Sequence, residues 1–467
     1  MGEMLNAEDG IARRTVSPDF AAAQRRGLPW CLAQGVLNSV FYFWTFGGSV
    51  FLLFLDELGL PKGQIGFLLS LFPFCGLLAL GFAPVATRLG RKRVFLAGYG
   101  LRKVAMAGLV LLPWILVQAG RTPAIVYLYG IVITFAVLRA LAETAYYPWS
   151  QEFVPNEVRG TFSAWSTVLG LLASSLALLL AGHVLASGVG LNRFLWLIGL
   201  GSLLGLAGVA VMVKVPGGAP VPVAAASGAH RANLRASLRD RNFVAFLGGV
   251  GAVAVGMALL VAFLPLYLKD RLGLSAGTVV RLDALVMLGG ALSSLAAGYL
   301  ADRVGSRPVL MPAAALSVLL PLGWLLLPRQ VPHLVVWCAA LYFFYGVVST
   351  CLVIGSGRLL FNAVVPPEKS TAYTAIYYAW IGITGGIGPL LAGGLLSLCH
   401  GWQTRLGPVV VDGHTILFML ALGPLAFGWF LFGRVKPDDI HTTRSVLRRL
   451  IVHGFRQERV KGNAGWL

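Results

Sequence analysis

Gly298-Tyr-Leu-Ala-Asp302-Arg303-Val-Gly305-Ser-Arg307 stands between two long apolar runs, and 215 positions earlier Ala83-Pro-Val-Ala-Thr87-Arg88-Leu-Gly90-Arg91-Lys92 stands between two others. The decapeptides match in register, with a small residue first, Arg sixth, Gly eighth and a basic residue tenth. A second pair of loops, Val154-Pro155-Asn-Glu157-Val-Arg159 and Val365-Pro366-Pro-Glu368-Lys369, is offset by 211. Two matched loops at nearly one offset imply a duplicated half, a common plan among membrane proteins.

Outward from these loops the chain is apolar. Of 467 residues, 57% are hydrophobic and only 12% charged, with mean hydropathy +0.79. A chain of that balance cannot fold in water without exposing large apolar patches, which excludes a soluble enzyme, a secreted disulfide scaffold and a disordered regulator. Apolar runs of membrane-crossing length occur at 28–55, 64–86, 94–118, 124–149, 162–185 and 194–212, and again at 243–268, 279–300, 309–327, 334–360, 373–398 and 416–432. The expected fold is therefore an all-α polytopic membrane protein of twelve transmembrane helices in two pseudo-symmetric six-helix bundles. The bundles should occupy 28–213 and 242–433, flanked by a polar tail at 1–27, a basic linker at 214–241 and a basic tail at 434–467.

The net charge of +19 reads as topology rather than nucleic-acid binding. With the amino terminus inside, 25 of the 37 Lys and Arg fall on the cytoplasmic side and 7 outside, so both termini are expected in the cytoplasm of a bacterial inner membrane. The first apolar run follows 27 polar residues and is expected to be retained. Outer loops are too short for an extracellular domain. In the last 30 residues, Ile440, Val446, Leu447, Leu450, Ile451 and Phe455 alternate with Arg444, Arg448, Arg449, Arg456, Arg459 and Lys461. Those spacings predict an amphipathic helix on anionic inner-leaflet lipids. The five cysteines have neither disulfide nor metal spacing, and no cofactor or metal is expected.

The decapeptide pattern resembles the signature between the second and third spans of the major facilitator superfamily, G-x-L-a-D-r-x-G-r-r/k. The resemblance implies a cytoplasmic latch formed by Gly298, Asp302, Arg303, Gly305 and Arg307, with Arg88, Gly90 and Arg91 as first-half counterparts. The first half departs from the pattern at Ala83 and Thr87. Glu152 and Arg159 match an E-x6-R spacing that in many members joins the latch arginines; the competing reading is a solvated loop pair worth at most about 1 kcal/mol. The resemblance also implies alternating access and a solute cavity lined by the first, fourth, seventh and tenth spans.

Seven charges lie within apolar spans: Arg102, Lys103, Arg139, Glu143, Arg281, Asp283 and Arg358. Each costs about 2.5 to 3.5 kcal/mol facing lipid at mid-membrane, so each needs a partner or a cavity. Arg139 and Glu143 are four apart, share a helical face and fall at the family's fourth-span arginine pattern; they are the expected coupling pair, against the alternative of a self-neutralised packing pair. Glu143 is expected to be ionised while paired and protonated once Arg139 is taken. Arg102 and Lys103 are placed by depth where long side chains snorkel to headgroups. Arg358 is expected near the inner mouth, as a gate or a snorkelling residue. The positive excess tilts the cavity toward an anionic solute.

Polar and aromatic residues recur at helical spacing and are candidate cavity lining: Gln34 and Asn38 on the first span, Tyr146 on the fourth, Tyr342, Tyr345 and Ser349 on the tenth, Tyr377 and Trp380 on the eleventh. Plain helix packing is the competing reading. No phosphate-binding loop of the ATPase type and no catalytic constellation occurs, so no enzyme is expected. The function expected is secondary active transport of a small polar or anionic solute, such as a sugar, glycoside, uronate or organic acid, by proton symport in a monomer. The alternatives are a drug or metabolite efflux antiporter and, from another class, a non-transporting sensor or assembly protein on the same fold.

Overall fold

In the computed structural model the chain is described at residues 18–155, 158–220, 235, 237–327, 331–366, 370–406 and 409–438. The expected amphipathic tail helix and most of the linker lie outside the described residues. Eleven described helices are long and apolar enough to cross a membrane, and a bent pair raises this to twelve. In chain order the spans are Ala22–Glu57, Lys62–Leu78 with Gly81–Leu89, Arg91–Ala119, Arg121–Phe153, Thr161–Ala186, Asn192–Met212, Arg241–Asp270, Ala276–Val304, Arg307–Leu326, Leu334–Val364, Tyr373–Leu398 and Gly413–Phe432.

The first helix starts at Pro18, ten residues before the apolar run. Proline suits a first turn, Asp19 favours the positive helix end, and Gln24 Nε2 donates to the Glu152 carbonyl at 2.6 Å, so this polar segment is helix rather than tail. The second span bends by 63° between Lys62–Leu78 and Gly81–Leu89, after Pro73 removes a backbone donor and Gly76–Leu78 tightens into a 3-10 turn. Helix starts are capped where the sequence supplies an acceptor: Asp240 takes Asn242 and Phe243 N–H, and Asp412 takes Thr415 N–H at 2.9 Å. The loop before the twelfth span is a small antiparallel ladder, Gln403–Leu406 with Val409–Asp412. Burial pushes the Asp412 carboxyl up, but the Thr415 N–H and Arg271 outweigh it and hold it below its ordinary 3.8.

The two halves repeat one local device. Gly90 and Gly305, both with φ near +95° (95° and 96°), turn the chain between second and third, and eighth and ninth spans. A side chain there would be strained, which explains the matched glycines. The basic residue two places on then caps the end of a distant helix in its own half. Lys92 Nζ donates to the Val213 and Val215 carbonyls at 2.8 and 2.6 Å, and Arg307 donates to the Gly433 carbonyl. These carbonyls end the sixth and twelfth spans, where free acceptors and the negative helix end favour a cation.

Two compact units emerge, and they cut the chain differently from the two expected bundles. One holds the described residues of Met1–Val50, Leu78–Ala177 and Leu191–Ala224. Its aromatic core stacks Phe95 on Tyr99 at 4.4 Å and against Trp149, with Phe153 beside them. The other holds the described residues of Phe51–Leu77, Leu178–Gly190 and Ala225–Leu467. Within this second unit the second and eleventh spans cross backbone to backbone: a Cβ at Gly66 would lie 2.4 Å from the Pro389 carbonyl oxygen and 2.9 Å from Gly393 Cα. The fifth and eighth cross alike, since a Cβ at Gly277 would lie 2.4 Å from the Gly182 carbonyl oxygen. Gly277 and Gly393 are Gly66 and Gly182 displaced by 211, the offset of the matched loops, so both crossings are copies of one interface. Small residues let membrane helices approach this closely.

Candidate functional site

Four charged residues from two helices meet inside the first unit. Arg139 Nε donates to Glu143 Oε1 at 2.7 Å, one turn along the fourth span. Arg102, from the third span, brings Nη1 to 3.8 Å from the same carboxylate oxygen. Its side chain is only 3% exposed, and its Nε and Nη1 are buried without a hydrogen-bond partner. Its guanidinium lies over Tyr99, 4.0 Å from the ring centre. Lys103 is fully buried; its Nζ donates to Asn38 Oδ1 at 3.1 Å and sits 3.7 Å from the Phe41 ring centre. Among the described residues no carboxylate lies within ion-pair distance of Lys103.

The snorkelling reading of Arg102 and Lys103 is thereby overturned. Depth along the third span permits snorkelling, but both side chains turn inward because the neighbours leave room for them. A Cβ at Gly205 would lie 2.8 Å from Lys103 Cδ and 3.0 Å from Nζ, so the glycine on the sixth span makes the space that the lysine fills. Asn38 supplies the acceptor and Phe41 and Tyr99 supply ring faces for the cations. Two arginines thus flank one carboxylate, with Lys103 beyond Arg102, and Glu143, at 44% side-chain exposure, is the open edge of the cluster.

The remaining lining candidates are placed in packing roles for the most part. Gln34 Nε2 donates to the Tyr99 hydroxyl at 2.7 Å and so supports the ring beneath Arg102. Tyr146 joins the Phe95 and Phe153 aromatic cluster. Tyr342 is 3% exposed with its ring edge-on to Trp324, and Ser349 donates to the Gly346 carbonyl of its own helix. Trp380 Nε1 donates to the Leu247 carbonyl, and its indole packs over Gly251; Tyr377 lies near Phe246. Tyr342 thus packs its ring on a neighbour, and Ser349 and Trp380 spend their polar atoms on nearby backbone. Tyr345 is half-buried.

The sequence model of the Major Facilitator Superfamily matches residues 32–389 and 249–459. The chain belongs to the Major Facilitator Superfamily. It is thus a multi-pass membrane transporter by family. Among solved structures it is similar to a variant of the nucleoside transporter NupG, with TM-score 0.65 and 14% identity over 88% of this chain and 99% of that one. It is also similar to a bacterial homologue of the human lysosomal transporter Spinster in an inward-facing, unoccupied conformation, with TM-score 0.61 and 14% identity over 88% and 97%. At such identity the likeness shows the fold alone. No curated protein sequence matches the chain.

The superfamily latch can now be located residue by residue. In the second half Asp302 is ion-paired with Arg358 and largely exposed. The acceptor at the start of the ninth span is Asp438, just past the twelfth span. Its buried carboxylate accepts from Ser306 N–H at 3.1 Å and from the Ser306 hydroxyl, and lies 3.8 Å from Arg358 Nε. Nothing in the sequence pattern singles out Asp438, because it lies 136 positions from Asp302 and outside the signature. Arg303 stacks on Tyr299 of its own helix at 4.3 Å. Gly298 faces open space.

In the first half Glu152 is the hub. It is ion-paired with Arg91 through Oε1 and accepts Gly218 N–H at 2.8 Å through Oε2. The competing reading, a Glu152 and Arg159 loop pair, does not form: Arg159 donates to the Gln151 and Val154 carbonyls at 3.3 Å each, capping its own loop. Arg88 is exposed and meets no carboxylate among the described residues. The superfamily chain therefore keeps an acid-to-arginine tie in each half but supplies the acid from different elements.

Proposed function

We propose that the protein is a secondary active transporter that imports a small polar or anionic solute by alternating access, driven by protons, with Arg139 and Glu143 as the coupling pair. The observation that carries the reading is the fourth-span ion pair, half open at Glu143 and backed by a buried arginine. A paired carboxylate that is partly exposed can exchange its cation for a proton, and a buried arginine that loses its anion needs another. The chain would act as a monomer in a bacterial inner membrane, with its termini in the cytoplasm. Sugars, uronates and organic acids are the solute classes to screen first.

Purified protein reconstituted into vesicles provides the test. Uptake of a screened solute should be driven by an inward proton gradient and should collapse with a protonophore. Uptake that survives the protonophore, or accumulation only when the gradient is reversed, would exclude proton-driven import and favour passive exchange or efflux.

A further inference from the structure

We propose that Arg102 and Arg139 form the two arms of an anion subsite that Glu143 occupies in the empty carrier, and that the solute is a small monoanion whose acid group takes Glu143's place. The inference rests on the coupling pair proposed above and names what that pair recognises.

Glu143 satisfies Arg139 at 2.7 Å but reaches Arg102 only at 3.8 Å, and Arg102 keeps Nε and Nη1 buried without acceptors. A guanidinium so enclosed is short of an anion, because buried charges are stable when paired and hydrogen-bonded. The tethered carboxylate cannot serve both arginines well, since its position is set by its own helix one turn from Arg139. A free carboxylate or phosphate has no such tether and can accept from both guanidiniums, the geometry in which arginine binds oxyanions most strongly. Lys103, behind the pair, is held by Asn38 and offers no competing anion.

The exchange conserves charge. The empty cluster holds one anion, Glu143; the occupied cluster also holds one, the solute, if the displaced Glu143 carboxylate takes up one proton from water at its exposed edge. One monoanion and one proton enter together, and the buried charge of the cluster does not change. The groups facing Glu143 are Arg102 and, beyond it, Tyr99 and Lys103 from the third span, and Arg139 from its own, with Tyr42 and Tyr147 close to Arg139. Apart from Glu143, these facing groups include no carboxyl.

The test uses the full-length chain in detergent and small probes in place of the solute. In Glu143→Ala the subsite is empty, so acetate should raise the melting temperature by about 2–4 °C at fixed ionic strength while acetamide does not. Wild type should respond less, and Arg102→Gln on the Glu143→Ala background should lose the response. Glu143→Gln, which keeps the side-chain volume, repeats the comparison if the alanine variant does not fold. Inorganic phosphate runs beside acetate: a stronger response to it assigns the solute a phosphate group, a weaker one a carboxylate. In lightly buffered solution, acetate binding to wild type should take up about one proton, and binding to Glu143→Gln none, since only the former displaces a titrating carboxylate. Equal stabilisation with and without Arg102, or none by either anion in both Glu143 variants, overturns the subsite. Protonophore-sensitive uptake of an uncharged solute would do so too while leaving the transport reading intact.

Discussion

In the proposed transport cycle Glu143 is the residue that couples solute to proton. Its carboxylate is the acid beside Arg102 and Arg139, so neutralising it should separate solute movement from the proton. Glu143→Gln is expected to exchange solute across vesicles at near wild-type rates yet fail to accumulate it against a gradient, and Arg139→Ala to impair both because it strands the acid. Accumulation by Glu143→Gln at the wild-type level, under a measured pH gradient, would return the pair to a packing role. The pair itself is legible in the sequence, because residues four apart on a helix must share a face. Arg102 and Lys103 are not: spacing tells depth along the third span, but their burial depends on Gly205 and Asn38 from two other helices.

At the scale of elements, two contacts are open to direct measurement. The crossing of the second and eleventh spans has no room at Gly66, where a Cβ would meet the Pro389 carbonyl at 2.4 Å. Gly66→Val should therefore push the helices apart, and a disulfide engineered between Gly63→Cys and Ser397→Cys, whose parent residues share a 2.7 Å hydrogen bond, should form readily in the parent and poorly with the valine. Equal crosslinking would show that the crossing tolerates a side chain. The second-half latch gives a paired expectation. Asp302 is 76% exposed, so Asp302→Asn should change stability by less than about 1 kcal/mol. Asp438 is buried against Ser306, and Asp438→Ala should cost about 1–3 kcal/mol by leaving those donors unmatched. Thermal unfolding of the two variants side by side ranks them, and the reverse order would put the latch back on Asp302. The signature loop was legible as a repeat, yet its helix-end acceptor was not, since any nearby carboxylate can cap a helix and the sequence does not say which one arrives.

For the whole molecule, both termini and the 214–241 linker are expected on the cytoplasmic side, so a cysteine at residue 225 should resist impermeant thiol reagents in intact cells and react after lysis. Labelling of intact cells would invert the topology. The twelve-span plan, its duplication and the family follow from the sequence alone, because apolar length and loop charge are local quantities that a bilayer forces into helices of set length and orientation. The tertiary structure alone decided which charges are buried, which acid serves each latch, and that Gly66 with Gly393 and Gly182 with Gly277 form two copies of one crossing. Those outcomes depend on which side chains from distant helices meet, and packing in lipid discriminates among them by fit and by polar pairing rather than by hydrophobicity, which every span shares.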